Sequence, residues 1–339
     1  MSSSSPAPRS LQDRFRGALL GTLAGDALGM PVEGWPAEEI RRELGEVREM
    51  LPARLGAGTF TDDTQMCCAL AEALVESEDP ARPDLDLIAR RFAERFDPER
   101  GYGGNTAKLL TAIRAGAPWR EVVAEHRLPG GSFANGAAMR VAPAALACYP
   151  DAEAVVRLAE LQAEVTGHEH PEGRFGARLQ AAGVLTCLGS ASDANAGAPS
   201  ASEILEVAST GWDGGIPAPF PDCIAWIGAH PDAAPEAAAR ALGTSVRASE
   251  AVPAALHAFL AHPDDAEEAT VTAVAMGGDT DTIGAMAGAL AGARNGAASL
   301  PPRWMDVLED GPCGKDGLTE LADRFYRRNH AARSGPDTR

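Results

Sequence analysis

The chain has 339 residues, 45% hydrophobic and 23% charged, with 48 acidic against 30 basic residues and a formal net charge of −18. That length and apolar content are ample for a large buried core, in one large domain or two ordinary ones. The acidic excess argues against broad nucleic-acid binding through a basic face, and leaves small anionic ligands open if metals or helix N-termini receive them.

Residues 1–10 are Ser/Pro-rich without an apolar signal core and are expected to form a disordered tail. Apolar residues at helical spacing then predict helices over Leu11–Leu28, Gln65–Glu76, Leu85–Phe96, Asn105–Ala115 and Ala152–Val165. The same spacing recurs over Phe175–Leu188, Ala233–Leu242, Glu250–Leu260, Ala266–Val274 and Thr282–Ala293. Alternating Val/Ile/Thr/aromatic runs are nearly absent, so the expected fold class is all-α, with few strands or none. Gly189–Ser202 reads as an exposed loop and Trp212–Pro221 as a non-helical excursion, but neither divides the chain into domains. One compact domain is expected over 11–328, with a flexible tail over 329–339.

Gly284, Gly288 and Gly292 lie four apart on one face of the last of these helices, where a second backbone could approach closely. No apolar run is long and pure enough to span a bilayer. The six cysteines, Cys67, Cys68, Cys148, Cys187, Cys223 and Cys313, form no CxxC pair and are expected as buried free thiols of a reducing compartment. A cytoplasmic protein without a membrane partner follows as the expectation.

Two short clusters carry the chemistry. Thr61-Asp62-Asp63-Thr64 and Gly277-Gly278-Asp279-Thr280-Asp281-Thr282 each stand before an Ala-rich helical run. Asp and Thr at such places ordinarily cap the helix and complement its dipole. Two near-identical acidic starts exceed what capping requires, and adjacent Asp62 and Asp63 set like charges side by side. Carboxylates and hydroxyls are hard oxygen ligands suited to Mg²⁺ or Mn²⁺, and two converging clusters could hold a metal pair that generates a nucleophilic water.

Other segments add to this. Glu33 falls just past a helix stopped by Gly29 and Pro31, a place where an acid is ordinarily solvated. Gly101-Tyr102-Gly103-Gly104-Asn105-Thr106 is a glycine loop opening a helix; it reads as a turn, or as a phosphate cradle built from free N–H groups. Gly130-Gly131-Ser132-Phe133-Ala134-Asn135-Gly136 is a second such loop, with an aromatic and an amide that suit a nucleoside diphosphate; Phe133 could equally be core. His168 and His170 stand at i, i+2, wrong for one helix face and for a zinc site, so ligand contact and a structural hydrogen bond remain alternatives.

In this order the segments make the chain similar to the ADP-ribosylglycohydrolase family. The resemblance runs from about Phe15 to Gly296 and rests on Gly17-Ala18-Leu19-Leu20-Gly21 with Gly25-Asp26-Ala27-Leu28-Gly29 and Glu33, then Thr61-Asp62-Asp63, Gly103-Gly104-Asn105, Gly131–Gly136 and the closing Gly-Gly-Asp-Thr-Asp-Thr. It implies a compact all-α fold with a cleft holding two divalent metal ions, Mg²⁺ or Mn²⁺. The implied metal ligands are Glu33, Thr61, Asp62, Asp63, Asp279, Asp281 and Thr282, with Glu33, Asp62 and Asp281 as catalytic candidates. The implied substrate contacts are Gly103, Gly104, Asn105, Gly130, Gly131, Ser132, Phe133, Ala134, Asn135, Gly136 and His168. The chain departs from the pattern at Gly167, where the family often has Thr directly before the histidine, and at Phe133, where some members have Tyr.

The resemblance implies a metal-dependent hydrolase that removes ADP-ribose from a modified protein side chain or small conjugate by water attack at the ribose C1″, releasing ADP-ribose. Two alternatives stand beside it. One is an inactive relative that binds ADP-ribose or serves structurally, as in the lens; the intact Asp62, Asp63, Asp279 and Asp281 speak against it. The other is a two-metal phosphoesterase cleaving the diphosphate, which would release AMP. The sequence leaves the acceptor, the choice between Mg²⁺ and Mn²⁺, and the oligomeric state open.

Overall fold

Ser10 opens the first helix: its hydroxyl accepts the Asp13 N–H, and the run that follows is apolar enough to be buried almost all round. A computed structural model of the chain describes residues 10–190 and 197–333. Eighteen α-helices are found among these residues. The first six are α1 (Leu11–Gly29), α2 (Ala37–Glu43), α3 (Asp62–Glu76), α4 (Leu85–Arg95), α5 (Gly104–Arg114) and α6 (Trp119–His126). Then come α7 (Gly136–Met139), α8 (Ala142–Cys148), α9 (Ala152–Glu164), α10 (Pro171–Ser190), α11 (Ala201–Ala208) and α12 (Phe220–Ala229). The last six are α13 (Pro235–Leu242), α14 (Ala248–Ala261), α15 (Ala266–Ala275), α16 (Thr280–Asn295), α17 (Pro302–Met305) and α18 (Lys315–Arg333). Among the described residues there are no strands, only two isolated antiparallel bridges, Pro36 with Gly277 and Ala134 with Arg247.

The molecule is organised about α1 and α16, which run antiparallel and are buried nearly all round. Gly17, Gly21, Gly25 and Gly29 of α1 face Gly292, Gly288, Gly284 and Thr280 of α16. A methyl group placed on Gly21 would lie 2.0 Å from the Gly288 carbonyl oxygen, and one on Gly25 equally close to that of Gly284. Glycine inside a helix costs about 1 kcal/mol relative to alanine, so seven on two facing stripes need a packing reason. Here it is backbone contact, which also locks the register. Because the two helices run opposite ways, that register sets the last turn of α1 beside the first turn of α16. Both acidic starts then meet the Asp26–Glu33 segment.

Three expectations are corrected. Cys68 of α3 and Cys313 form a disulfide, with Cα atoms 5.4 Å apart across a sequence separation of 245, while Cys67, Cys148, Cys187 and Cys223 are buried free thiols. A pairing this distant leaves no trace in local spacing, and the cysteines therefore carry no argument about compartment. The chain end is not a tail from residue 329: α18 continues to Arg333, and the Asn329 side-chain amide donates to the Leu146 carbonyl at 2.7 Å. The excursion at 212–221 is shorter than expected, since α12 begins at Phe220. Residues 1–9, 191–196 and 334–339, which carry most of both expected tails and the middle of the 189–202 loop, lie outside the described residues. Among those described, no helix is long and apolar enough to cross a membrane.

Candidate active site

Capping explains part of the first acidic cluster and almost none of the second. Thr61 is the N-cap of α3, its hydroxyl accepting the Asp63 N–H at 3.3 Å. Asp279 occupies the N-cap position of α16 but makes no side-chain cap bond. Its carboxylate instead accepts the Asn135 side-chain amide at 2.6 Å. Oxygens of Glu33, Asp279 and Asp281 all lie within 4.8 Å of one another.

Asp26, in the last turn of α1, fixes α3 against this cluster. Fully buried, it accepts the Thr61 N–H at 3.0 and 3.1 Å, the Thr64 N–H at 3.0 Å and the Thr64 hydroxyl at 2.6 Å. It stands at the positive end of the α3 dipole and ties the helix start to α1. In the sequence Asp26 stands within the Gly25–Gly29 motif, where nothing local assigns it a part in the site.

The carboxylates are crowded and poorly solvated. Burial pushes the Asp26 carboxyl up to about 6, against the hydrogen bonds it accepts. Burial and then the charge of Asp26 push Asp62 to about 7. Asp63 is held well above the usual carboxylate range by burial and then by the charge of Asp281, and Asp281 likewise by burial and then by the charges of Asp279 and Glu33. Asp279 is raised by burial despite the hydrogen bonds from Asn135 and Thr282. Glu33, 43% exposed in its side chain, is raised by burial and partly restored by Arg54, whose guanidinium lies 3.7 Å away. One buried oxygen, Asp63 Oδ1, has no hydrogen-bond partner. Several carboxylates raising one another, with a buried acceptor left without a donor, fit a hard divalent cation as the missing partner. The residues present therefore suit such a group.

Above the cluster opens a cleft of about 290 Å³. Its walls include Glu33, Asp62, Asp63, Asp279, Asp281 and Thr282 below, and Gly103, Ala134, Asn135, Gly136 and His168 above. Larger hollows of about 560 Å³ exist, but the acidic cluster lines the small one: the groove along α4 and α6 is an open surface whose Asp86 is already held by Trp119 and Arg120.

Not all expected contacts reach the cleft. Gly104 and Asn105 are exposed and do not line it. Thr61 is buried behind it. Gly130, Gly131 and Ser132 pack away toward the His168–Gly173 turn; a methyl group on Gly131 would meet the His170 backbone nitrogen at 2.4 Å. Phe133, 37% exposed, has the Arg247 guanidinium 4.5 Å above its ring and His170 edge-on. His170 accepts the Glu172 N–H at 3.2 Å, a structural contact at the start of α10. Met66, Met139, Arg140 and Val246 line the cleft without having been anticipated; none belongs to a motif.

Backbone hydrogen bonds lace the loops around the cleft into one rim. Gly34 N–H donates to Gly278 and Gly278 N–H to Trp35; Asp279 N–H donates to Thr244, Asn135 N–H to Val246, and Ser132 N–H to Gly167, all at 2.8–2.9 Å. Gly277 and Gly278 both take left-handed φ, +72° and +77°, and a methyl group on Gly278 would strike the Thr244 carbonyl oxygen at 2.2 Å. Only glycine suits this turn.

The ADP-ribosylglycohydrolase family model matches residues 7–335. Human ADP-ribosylhydrolase ARH3 is 32% identical over 360 residues, covering 95% of this chain and 94% of its own. The Danio rerio ADP-ribosylhydrolase ARH3 is likewise 32% identical, covering 94% of this chain and 92% of its own. A solved structure, an ADP-ribosylglycohydrolase-related protein complex, superposes with a TM-score of 0.69 at 31% identity, covering 94% of this chain and 98% of the other.

Proposed function

The chain belongs to the ADP-ribosylglycohydrolase family, and on that premise we propose that it hydrolyses the glycosidic bond joining ADP-ribose to a modified side chain or related acceptor. The observation that carries this reading is the convergence of Glu33, Asp62, Asp63, Asp279 and Asp281 at the base of a cleft roofed by Ala134–Gly136 and His168. In the proposal Glu33, Asp62, Asp63, Asp279 and Asp281 hold two divalent cations, Mg²⁺ or Mn²⁺, with Thr61 and Thr282 contributing hydroxyls. When bound, the cations would neutralise the crowded carboxylates and polarise a water and the ribose hydroxyls.

The chain's own residues would do the rest. Asn135 fixes the Asp279 carboxylate through its amide, and Asp26 fixes the start of α3. Glu33 sits at the end of a 3-10 turn, exposed at the cleft, with a carboxyl raised by burial against the opposing charge of Arg54. It would orient the attacking water and take its proton on the carboxylate. Gly103 and Gly136, the loop glycines at the cleft wall, would receive the diphosphate and Phe133 would pack on a ribose or base. Charge developing at C1″ in the oxocarbenium-like transition state would face the acidic floor.

A panel of defined ADP-ribosylated acceptors, incubated with Mg²⁺ or Mn²⁺, tests the reading. Free ADP-ribose is the expected product. AMP would make the protein a phosphoesterase, and tight ADP-ribose binding without turnover on every acceptor would make it a binding relative.

A further inference from the structure

Arg140 lies directly after the short helix α7, is 0% exposed, and has only neutral hydrogen-bond partners. Its guanidinium donates to the Gln162 side-chain oxygen at 2.6 Å, the Gln162 carbonyl at 3.1 Å, Met66 Sδ at 3.7 Å and the Thr166 hydroxyl at 2.8 Å. The Phe92 ring covers it at 4.7 Å. Burial lowers its pKa to about 9, so it stays a cation at neutral pH. A buried cation is costly unless it is paired or hydrogen-bonded, and here neutral acceptors alone hold it.

What depends on it is the orientation of one hydroxyl. Guanidinium can only donate, so Thr166 Oγ1 accepts from Arg140 and its own hydrogen must point elsewhere. His168 Nδ1 lies 2.9 Å away. Gly167 between them takes a left-handed φ of +71°, a turn that lets the two side chains meet. A nitrogen that accepts from Thr166 carries no proton, and in a neutral imidazole the proton then sits on Nε2. Burial and the Arg140 charge push His168 down to about 3, against the Thr166 carbonyl, which favours protonation. Nε2 stands at the cleft wall against Gly136: a methyl group there would come within 2.8 Å of it.

We infer that Arg140 and Thr166 are positioning residues that hold His168 as the neutral Nε2–H tautomer, a fixed hydrogen-bond donor presented to an oxygen acceptor of the ligand beside Gly136. Only the identity of that ligand, an ADP-ribosyl group, rests on the function proposed above. The tautomer rests on the hydrogen bonds alone. The competing arrangement puts the proton on Nδ1, where it is donated to the second lone pair of Thr166 Oγ1 or to the Thr166 carbonyl, and turns the Thr166 hydroxyl hydrogen away from His168.

Long-range proton–nitrogen correlation spectra of ¹⁵N-histidine-labelled protein at neutral pH read the tautomer directly. Nε2–H is expected for His168 in the wild type and in Thr166→Ser. In Thr166→Val the Nδ1–H form should appear, with ADP-ribose binding by calorimetry weaker by about three- to tenfold, the worth of one neutral hydrogen bond. Thr166→Ser should restore both readouts. A wild-type Nδ1–H tautomer overturns the relay, and that measurement stands even if Thr166→Val fails to fold. A tautomer change in Thr166→Val with unchanged ADP-ribose affinity overturns the donor role. Wild type that binds no ADP-ribose overturns the hydrolase reading instead, while its spectrum still decides the tautomer.

Discussion

The Asn135 side-chain amide donates to Asp279 Oδ2 at 2.6 Å, joining the glycine loop before α7 to the acidic start of α16. These segments lie 144 residues apart in sequence. Asn135→Ala leaves the Asp279 carboxylate without that donor. A hydrogen bond to a charged group is worth about 1.5–3 kcal/mol, so kcat/KM should fall roughly 10- to 150-fold. Asn135→Asp should fall further, because it adds a carboxylate facing Asp279. Steady-state rates on one defined substrate check this; equal rates for Asn135→Ala and wild type would remove Asn135 from the site.

Glu33 is the carboxylate most open to solvent in the cluster. Glu33→Gln keeps its size and removes its basicity. Turnover should drop by about 10²–10⁴-fold while ADP-ribose binding is retained. Single-turnover rates at saturating metal and substrate decide, and near-wild-type rates would return Glu33 to the role of a solvated loop acid.

The metal-free protein should gain stability on acidification. Asp26 and Asp62 are raised to about 6 and about 7 in the fold, against about 3.9 unfolded. Between those limits the native state binds more protons than the unfolded chain, so stability falls as pH rises. Below about pH 4 both states are protonated and the penalty vanishes; above about pH 7 it is fully present. Thermal melts in chelator should therefore rise from pH 7 to pH 5. Saturating Mg²⁺ or Mn²⁺ should raise the pH 7 value and flatten the dependence. Asp62→Asn should melt higher than wild type in chelator and gain less from metal. A chelated wild type that melts lower at pH 5 than at pH 7 would contradict the crowding argument.

Phe133 carries Arg247 on its ring and is partly open to solvent. Phe133→Ala should weaken ADP-ribose binding by about tenfold, on the scale of 1–3 kcal/mol for base–aromatic stacking, and leave metal-dependent stabilisation intact. Unchanged affinity by calorimetry would make Phe133 only a platform for Arg247.

The facing glycines make a paired test. Gly21→Ala puts a methyl group 2.0 Å from the Gly288 carbonyl oxygen and should cost about 3 kcal/mol or more, or prevent folding. Gly189→Ala, in the last turn of α10 with nothing within 4 Å, should instead be neutral or stabilising by up to about 1 kcal/mol. Equal melting temperatures for the two variants would deny the close contact of α1 and α16.

Much of the helical framework was legible because its period is local. Gly284, Gly288 and Gly292 announced a close neighbour. The matching stripe at Gly17, Gly21, Gly25 and Gly29 was equally visible, but nothing local pairs two stripes so far apart. The α18 helix was missed although Leu318, Leu321, Ala322 and Phe325 keep helical spacing, and α11 although Ser200 and Glu203 form a capping box. The acidic clusters were legible by composition. Asp26 was not, because its part depends on donors from α3 reached only in the fold. Val246 and Arg140 reach the cleft through the packing of whole segments, which no short pattern records.

The pairing of α1 with α16 also orders events during synthesis. Asp26 leaves the ribosome about 250 residues before Asp281, an interval of roughly 10–50 s at ordinary elongation rates. Throughout it, the glycine stripe of α1 has no partner and the carboxylates of α1 and α3 lack those of α16. The cleft therefore closes late, by a long-range contact of the kind that slows folding. A nascent chain arrested before α16 should remain protease-sensitive along α1 and bind no metal, however much of its N-terminal sequence is already in place.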